Sequence, residues 1–596
     1  MKPLPAETSL SQFYQAELAA LRAEAGIFAA QYPDTAAELR MGSGQALDPH
    51  VELLLQSFAF MAGRLRQHVE MDKSRVPNSL AESLYPHLGA PVPSMVMAQA
   101  SGVAKKAQLQ RHQGLAASTM TDTGHAINCR FRLGCATTLL PLKVAEVCLR
   151  AVGDDGKIMR AGAGAAAVSI RLAPTGNARL EHETLRFFID TANTAEAFQL
   201  YELLALHVTG IALAGAAQGA APARLRWLGF DDAEALLPAS AGTPQAYRML
   251  QEYFAFPQKY LMFEVGPLDL GAMAGEAELL LALDLPFERQ RRWPAHALRL
   301  NCMPLVNLYT QPIEPVNLDH AQYEYRLVAD HARHRYHEIH SIDKLYSAHA
   351  DGSMRRIMPY FGFDEIEGGR TPDYFYLGRR ERSEATGVAG GEYLVSFLDP
   401  TLSPTQLAGE VIGGVALCTN RRLPEQLPPG AALALEGPGP AVQLATIGRA
   451  SPHTMPAQIG HRPWALVSQL ALNRLSLANG PRALRALKEI LRLHAGQNRT
   501  LALRQIEGVQ AIACRHVMRQ RRQDGWRGFV RTLRVDVRLD RHAFTDASPV
   551  LFWQVLRHFF ALYVSVNNLV ETGFTTNDSS GSDEGWPLLN GAQCIL

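Results

Sequence analysis

Apolar positions at Val51, Leu54, Phe58, Met61 and Leu65, closed by His68, step by three and four residues along the chain. That spacing keeps one stripe of a helix turned toward a neighbour. Asp48 before Pro49 is a start signal, an N-cap oxygen ahead of a residue whose missing N–H costs nothing in a first turn. A helix is therefore predicted from Asp48 to Asp72. Upstream, Tyr14, Leu18, Leu21, Ala25, Phe28 and Tyr32 form a second stripe, and Tyr32 before Pro33 is a stop because the residue preceding proline avoids the helical region. Burying the five apolar residues of the later stripe is worth roughly 1.5–3 kcal/mol each, about 10 kcal/mol before entropy is subtracted. Two arrangements satisfy it: a helical hairpin capping a core of its own chain, or a bundle with helices of other chains. Leu53 and Leu55 widen the apolar face and favour a bundle of three or more helices.

Downstream the period changes. Ser79 to Glu82 reads as a capping box for a short helix ended by Pro86, and from Ala98 onward short alternating runs predict strands. They include Ile127–Leu133, Leu139–Leu149 with an edge at Pro141, Val168–Leu172, Leu185–Ile189, Leu225–Phe230, Leu261–Val265, Leu279–Leu285 and Leu298–Leu308 interrupted by Pro304. Tyr393–Leu398, Val411–Cys418 and much of Val509–Leu539 read the same way, whereas Thr194–Leu206, Tyr247–Phe256, Trp464–Leu477, Ala483–Leu493 and Leu551–Asn567 carry helical spacing. Thr575–Glu584 is polar and expected to be mobile. The fold class is α+β and multidomain: an N-terminal helical bundle segment, β-rich sandwich or barrel-like domains, and a mixed α/β C-terminal domain. Expected boundaries are 1–96, 97–300, 301–455 and 456–596.

A chain of 596 residues exceeds what one hydrophobic core usually serves. The 47% apolar and 19% charged fractions are those of a folded protein. A formal charge of +1 provides no global field for nucleic acid or an anionic membrane. The N-terminus lacks the apolar core of a signal peptide, no stretch is suited to span a bilayer, and seven scattered cysteines form no Cys-x-x-Cys pair, so a reducing cytoplasm is expected. His331, His334, His337 and His340 recur every third residue, but Arg333 and Arg335 oppose a cation and Ser341 stands where a zincin would need histidine, which leaves a solvated basic turn. Gly162-Ala-Gly164 precedes a strand, the reverse of a dinucleotide site. Asp154-Asp155 and Asp231-Asp232 are neighbours whose side chains diverge, so no carboxylate pair for catalysis is expected, nor any enzyme activity or cofactor. Arg504–Arg541 carries ten arginines against four acids. A nucleic-acid-binding module is the alternative it raises; the simpler reading places Arg531, Arg534 and Arg538 on strands and Arg519, Arg521 and Arg522 at a solvated turn.

Several stretches together resemble the TssF family of type VI secretion baseplate proteins, also known as VasA or ImpG. They include Phe13-Tyr-Gln-Ala-Glu-Leu18, Asp48-Pro-His-Val-Glu52 through Phe60, Leu84-Tyr-Pro-His87 into Pro91-Val-Pro-Ser-Met95, Leu185–Asp190, Gln251–Pro257, Asn301–Pro304, Cys418–Arg421 and Leu472-Asn473. Their order and spacing cover essentially the whole chain. Ala246-Tyr247 departs from the family's usual Gly-Tyr, and the C-terminal Gly585-Trp-Pro587 follows an unusually polar linker. The resemblance implies a cytoplasmic structural protein of a phage-tail-like contractile machine, docked at the inner-membrane-anchored secretion complex. Two copies would embrace one TssG, with TssK, TssE, a second TssF copy, the spike VgrG and the membrane complex as further partners; no nucleic acid and no direct membrane insertion are implied. The implied bundle contacts are Tyr14, Leu18, Leu21, Phe28, Val51, Leu54, Phe58, Met61 and Leu65.

Overall fold

The computed structural model describes residues 10–38, 49–84, 86–121, 124–151, 165–176, 179–180, 182–213, 223–239, 244–272, 275–318, 322–348, 352–360, 374–383, 388, 390–398, 410–455, 481–496, 500–523, 526–564, 568–576, 580–582 and 589–591. The chain divides into two units, one within Met1–Ala81 and one of Glu82–Ala457 with Trp464–Leu596. It is an α+β protein in which strands predominate.

The first helices are α1 (Leu10–Gln31), α2 (Pro33–Glu38), α3 (Pro49–Leu84) and α4 (Pro86–Gly89). Pro33 opens α2 and Pro49 opens α3, positions where the lost N–H is already without a helical partner. α3 runs past the expected end at Asp72. The Ser79 to Glu82 stretch, read as the start of a separate helix, lies inside it, so the preceding turns already supply the hydrogen bonds a capping box would have supplied.

The larger unit is built on non-local strand pairing. A closed six-stranded barrel takes Met95–Ser101, Cys302–Val306, Ala126–Leu133, Gly114–Met120, Ala432–Leu435 and Gln443–Ile447 in that spatial order. Its interior is filled by alternate residues, as at Ile127, Cys129, Phe131 and Leu133 of one strand. These strands come from three separate parts of the chain, so the expected cuts at 300/301 and 96/97 pass through this barrel instead of separating bodies. The strand read as Leu298–Leu308 is two, Leu298–Arg299 and Cys302–Val306. The break falls at Asn301, whose φ of 57° lets its side chain bond both N–H and C=O of Leu140, while Pro304 stays inside the second strand.

A five-stranded antiparallel sheet (Val208–Leu213, Ala277–Pro286, Ala165–Pro174, Leu142–Ala151, Arg291–Trp293) and a four-stranded one share a large core with helices Thr194–His207, Gln245–Ala255, Pro481–His494 and Pro549–Ala561. Asn193 caps the first of these by accepting from the Glu196 N–H at 2.7 Å, and Ser548 caps the last. A seven-stranded sheet with Tyr309–Asn317 and Tyr325–Leu327 at its two edges has its own core around Ile339, Leu345, Val395 and Ile412. In the C-terminal sheet, strand Trp526–Leu539 pairs in parallel with Leu569–Thr575 through the crossover helix Pro549–Ala561, which is buried on nearly every side. Ser580–Ser582 adds an antiparallel strand to Leu569–Thr575, where a mobile tail was expected; its small residues fit a sheet margin. The helix expected at Trp464–Leu477 and the loop at Gly162–Gly164 lie outside the described residues.

Candidate protein interface

α1 and α3 run antiparallel, and small residues carry their contact. Gly63 and Ala59 of α3 are buried, and a Cβ placed on Gly63 would lie 2.9 Å from the Tyr14 backbone N, 3.1 Å from its Cα and 3.2 Å from the Phe13 carbonyl carbon. Only glycine permits that approach. Ion pairs Arg22–Glu52 and Arg66–Glu17 flank the crossing, and Gln56 donates to Glu52 at 3.1 Å. Tyr14, Leu18, Leu21 and Phe28 are half-buried.

On α3, at 100° per residue, Leu54, Phe58, Met61 and Leu65 stand about 150° around the axis from Glu52, Ala59 and Gly63. They point away from α1, and their exposures are 69%, 56%, 63% and 67%. Leu53 and Phe60, one heptad apart, form a second exposed ridge between those two faces. The Val51 and His68 side chains lie outside the described ones. The hairpin contact therefore leaves the large residues of the stripe uncovered within this unit. Covering the four would contribute roughly 1–2 kcal/mol each.

The other candidates resolve differently. His331 and His334 stand in a turn open to solvent, whereas His337 is half-buried just ahead of the strand that starts at Glu338 and His340 is buried within it, so the expected solvated turn holds for only half of the series. Burial, reinforced by Arg380 and Arg132, pushes His340 down to about 3; burial also lowers His337, whose Nδ1 lies 2.5 Å from the Tyr309 hydroxyl. Beside them Glu338 sits fully buried, accepting from the Gly391 N–H at 2.6 Å and facing His453 Nε2 at 3.0 Å. Burial works against its charge, yet His453, Arg421 and the Gly391 N–H hold its carboxyl below the ordinary range. The arrangement braces the strand starts at Glu338 and Gly391 against the segment after the last barrel strand; it was invisible to motif reading because its members are far apart in sequence. Among the described residues no group of three His, Cys, Asp or Glu is placed to hold a metal ion. A cleft of about 500 Å³ lies between the barrel and the five-stranded sheet, but its Arg299 is already bonded to Asp190 at 2.6 Å and Gln99 at 2.9 Å.

The arginine-rich segment forms a long antiparallel ribbon, Val509–Gln523 with Trp526–Leu539. Arg519, Arg521 and Arg522 lie within its first strand and not at a turn, because the register continues to Gln523 opposite Trp526. Glu571 bonds Arg519 at 2.6 and 2.7 Å and Arg534 at 2.8 Å; these pairs hold its carboxyl below the usual range against the cost of burial. Asp536 takes Arg534 at 3.1 Å and Arg515 at 3.5 Å.

The six described cysteines are buried and unbridged, and no described helix is long and apolar enough to cross a membrane. The family model described as "Type VI secretion system, TssF" matches residues 6–593. The type VI secretion system component TssF1 of Pseudomonas aeruginosa is 29% identical, over 96% of this chain and 97% of the relative. A chain of a solved TssK-TssF-TssG baseplate subcomplex shares the fold with a TM-score of 0.70 at 21% identity, covering 91% of this chain and 99% of that one. A chain of a solved type VI baseplate complex gives 0.60 at 20% identity, covering 98% and 100%. The family and these neighbours are structural components of a secretion apparatus, not enzymes.

Proposed function

This chain belongs to the type VI secretion system TssF family, and from that premise we propose that it is a structural wedge component of the baseplate, assembling with TssG and TssK. In the finer reading two copies embrace one TssG, TssE links the wedge to the sheath, a second TssF copy and the spike VgrG complete the ring, and the platform docks from the cytoplasm on the membrane complex. There it would template growth of the tail tube and sheath and pass on the change that triggers contraction. A compact β-rich unit with a shared core suits that role, since a rotation is transmitted only by parts that do not deform.

The observation that carries the proposal is the exposed stripe of Leu54, Phe58, Met61 and Leu65 on a helix whose opposite face is already engaged. With Val51, and with Tyr14, Leu18, Leu21 and Phe28 on α1, these are the proposed bundle contacts. Co-expression with the TssG encoded beside this chain, followed by light scattering on the purified peak, should give a two-to-one assembly. Phe58→Asp should abolish co-purification while the β-sheet circular dichroism stays unchanged. Co-purification that survives the substitution would overturn the bundle assignment.

A further inference from the structure

The arginine ribbon extends well beyond the sheet that anchors it. Strand Leu569–Thr575 supports only Thr532–Arg538, so the part from Met518 to Gln523, opposite Trp526 to Arg531, extends beyond it as a two-stranded arm. Five residue steps give it a reach of roughly 17 Å. From Val509 to Val535 the sequence has seven arginines and one acid, Asp524.

Opposed residues of an antiparallel pair share a face. Met518 opposite Arg531, and Gln520 opposite Phe529, therefore form one patch. Met518 and Phe529 are 62% and 69% exposed, and Arg531, also exposed, has no carboxylate partner among the described residues. The other face carries Arg515, Arg519 and Arg534, held by Asp536 and Glu571, which stiffen the arm's root. Toward the turn, Arg521, Arg522 and Arg527 take the next register positions. Neighbouring positions on a strand alternate faces, so arginine occurs at positions of both.

We infer that this arm docks on an anionic lipid surface, with Met518 and Phe529 entering the headgroup layer and the arginines pairing with lipid phosphates around them. Charge complementarity selects an anionic occupant. The shape selects among anionic ones: a folded protein partner would contact one face, whereas a headgroup layer surrounds an arm that enters it. Two large apolar side chains presented to solvent beside a cation are what an interface between water and hydrocarbon accommodates, and duplex phosphates do not. The contact is peripheral and involves no span. It is independent of the helical bundle.

The test is sedimentation of the full-length protein with vesicles of phosphatidylglycerol and phosphatidylcholine, against vesicles of phosphatidylcholine alone. Binding should require phosphatidylglycerol and weaken with salt. Arg531→Gln should lower partitioning about fivefold, and Met518→Ser with Phe529→Ser about tenfold or more. All three side chains are exposed, so circular dichroism and co-purification with TssG should stay unchanged in these variants. Absence of binding, equal binding to neutral vesicles, or insensitivity to the apolar substitutions would overturn the inference. So would a duplex DNA shift that is lost in the same variants while vesicles remain unbound.

Discussion

Gly63 gives the most direct measure of how the two N-terminal helices are joined. Replacing it by valine places a Cβ 2.9 Å from the Tyr14 nitrogen and 3.1 Å from its Cα, atoms of a helix backbone that cannot rotate aside. Ordinary carbon contacts need about 3.5–4.0 Å, so the axes must separate by roughly 0.5–1 Å, a gap that forfeits a quarter to a half of each contact's attraction along the crossing, Ala59 included. Overpacking of this kind costs about 1–3 kcal/mol, and leaving glycine within a helix returns a few tenths at most for a β-branched residue. A net loss of about 2 kcal/mol raises the population of the opened hairpin about thirtyfold. Global unfolding of a chain this large would mix several transitions, so the reading belongs to local hydrogen exchange. Peptides spanning residues 10–31 should exchange about thirtyfold faster in Gly63→Val, with those of the seven-stranded sheet unchanged. Exchange in 10–31 equal to the parent would show that the Gly63 crossing does not hold α1.

Two further outcomes concern the larger unit. His494 is buried and stacked on Tyr247 at 5.0 Å, and burial pushes it down to about 4 although Ile490 O accepts from its ring. The unfolded chain takes up a proton near the ordinary value of 6.5 while the folded state stays neutral, so stability falls as pH drops below about 6.5. The loss reaches about 2 kcal/mol at pH 5, and His494→Phe should remove that share of the acid sensitivity of the urea midpoint; an unchanged pH slope would contradict the assignment. Lys259 and Glu252 form an ion pair with both partners buried, and Glu252 also accepts from the Leu236 and Leu237 N–H groups at 2.9 Å. Lys259→Met should cost about 3–5 kcal/mol because it strands a charge, and the double variant with Glu252→Gln should recover part of it; a single variant as stable as the parent in chemical denaturation would refute this.

The sequence carried the local half of this structure. Helices at Thr194, Tyr247 and Ala483 and strands at Leu185, Tyr393 and Val411 were legible because large apolar residues repeat with one period inside one element. The barrel was not, since pairing Met97 with both Pro304 and Ile447 depends on contacts across hundreds of residues that no period records. The stripe of α3 was visible, but its partner face was not: Ala59 and Gly63 have almost no hydrophobic signal and matter through the room they leave. The same holds for Glu338 and His453, which no spacing links.

That asymmetry between the faces of α3 bears on function. A helix pair that existed to close its own core would spend its largest side chains on the crossing, where burial is most favourable. Here the crossing uses glycine and alanine, and Leu54, Phe58, Met61 and Leu65 are turned about 150° away. Close approach by small residues fixes the angle between two axes while leaving the apolar stripe intact for a third helix. Under the proposed function the hairpin would be half of an interface. Cover of the stripe by other helices would add to what the crossing supplies, which would couple the stability of this segment to assembly with its partners.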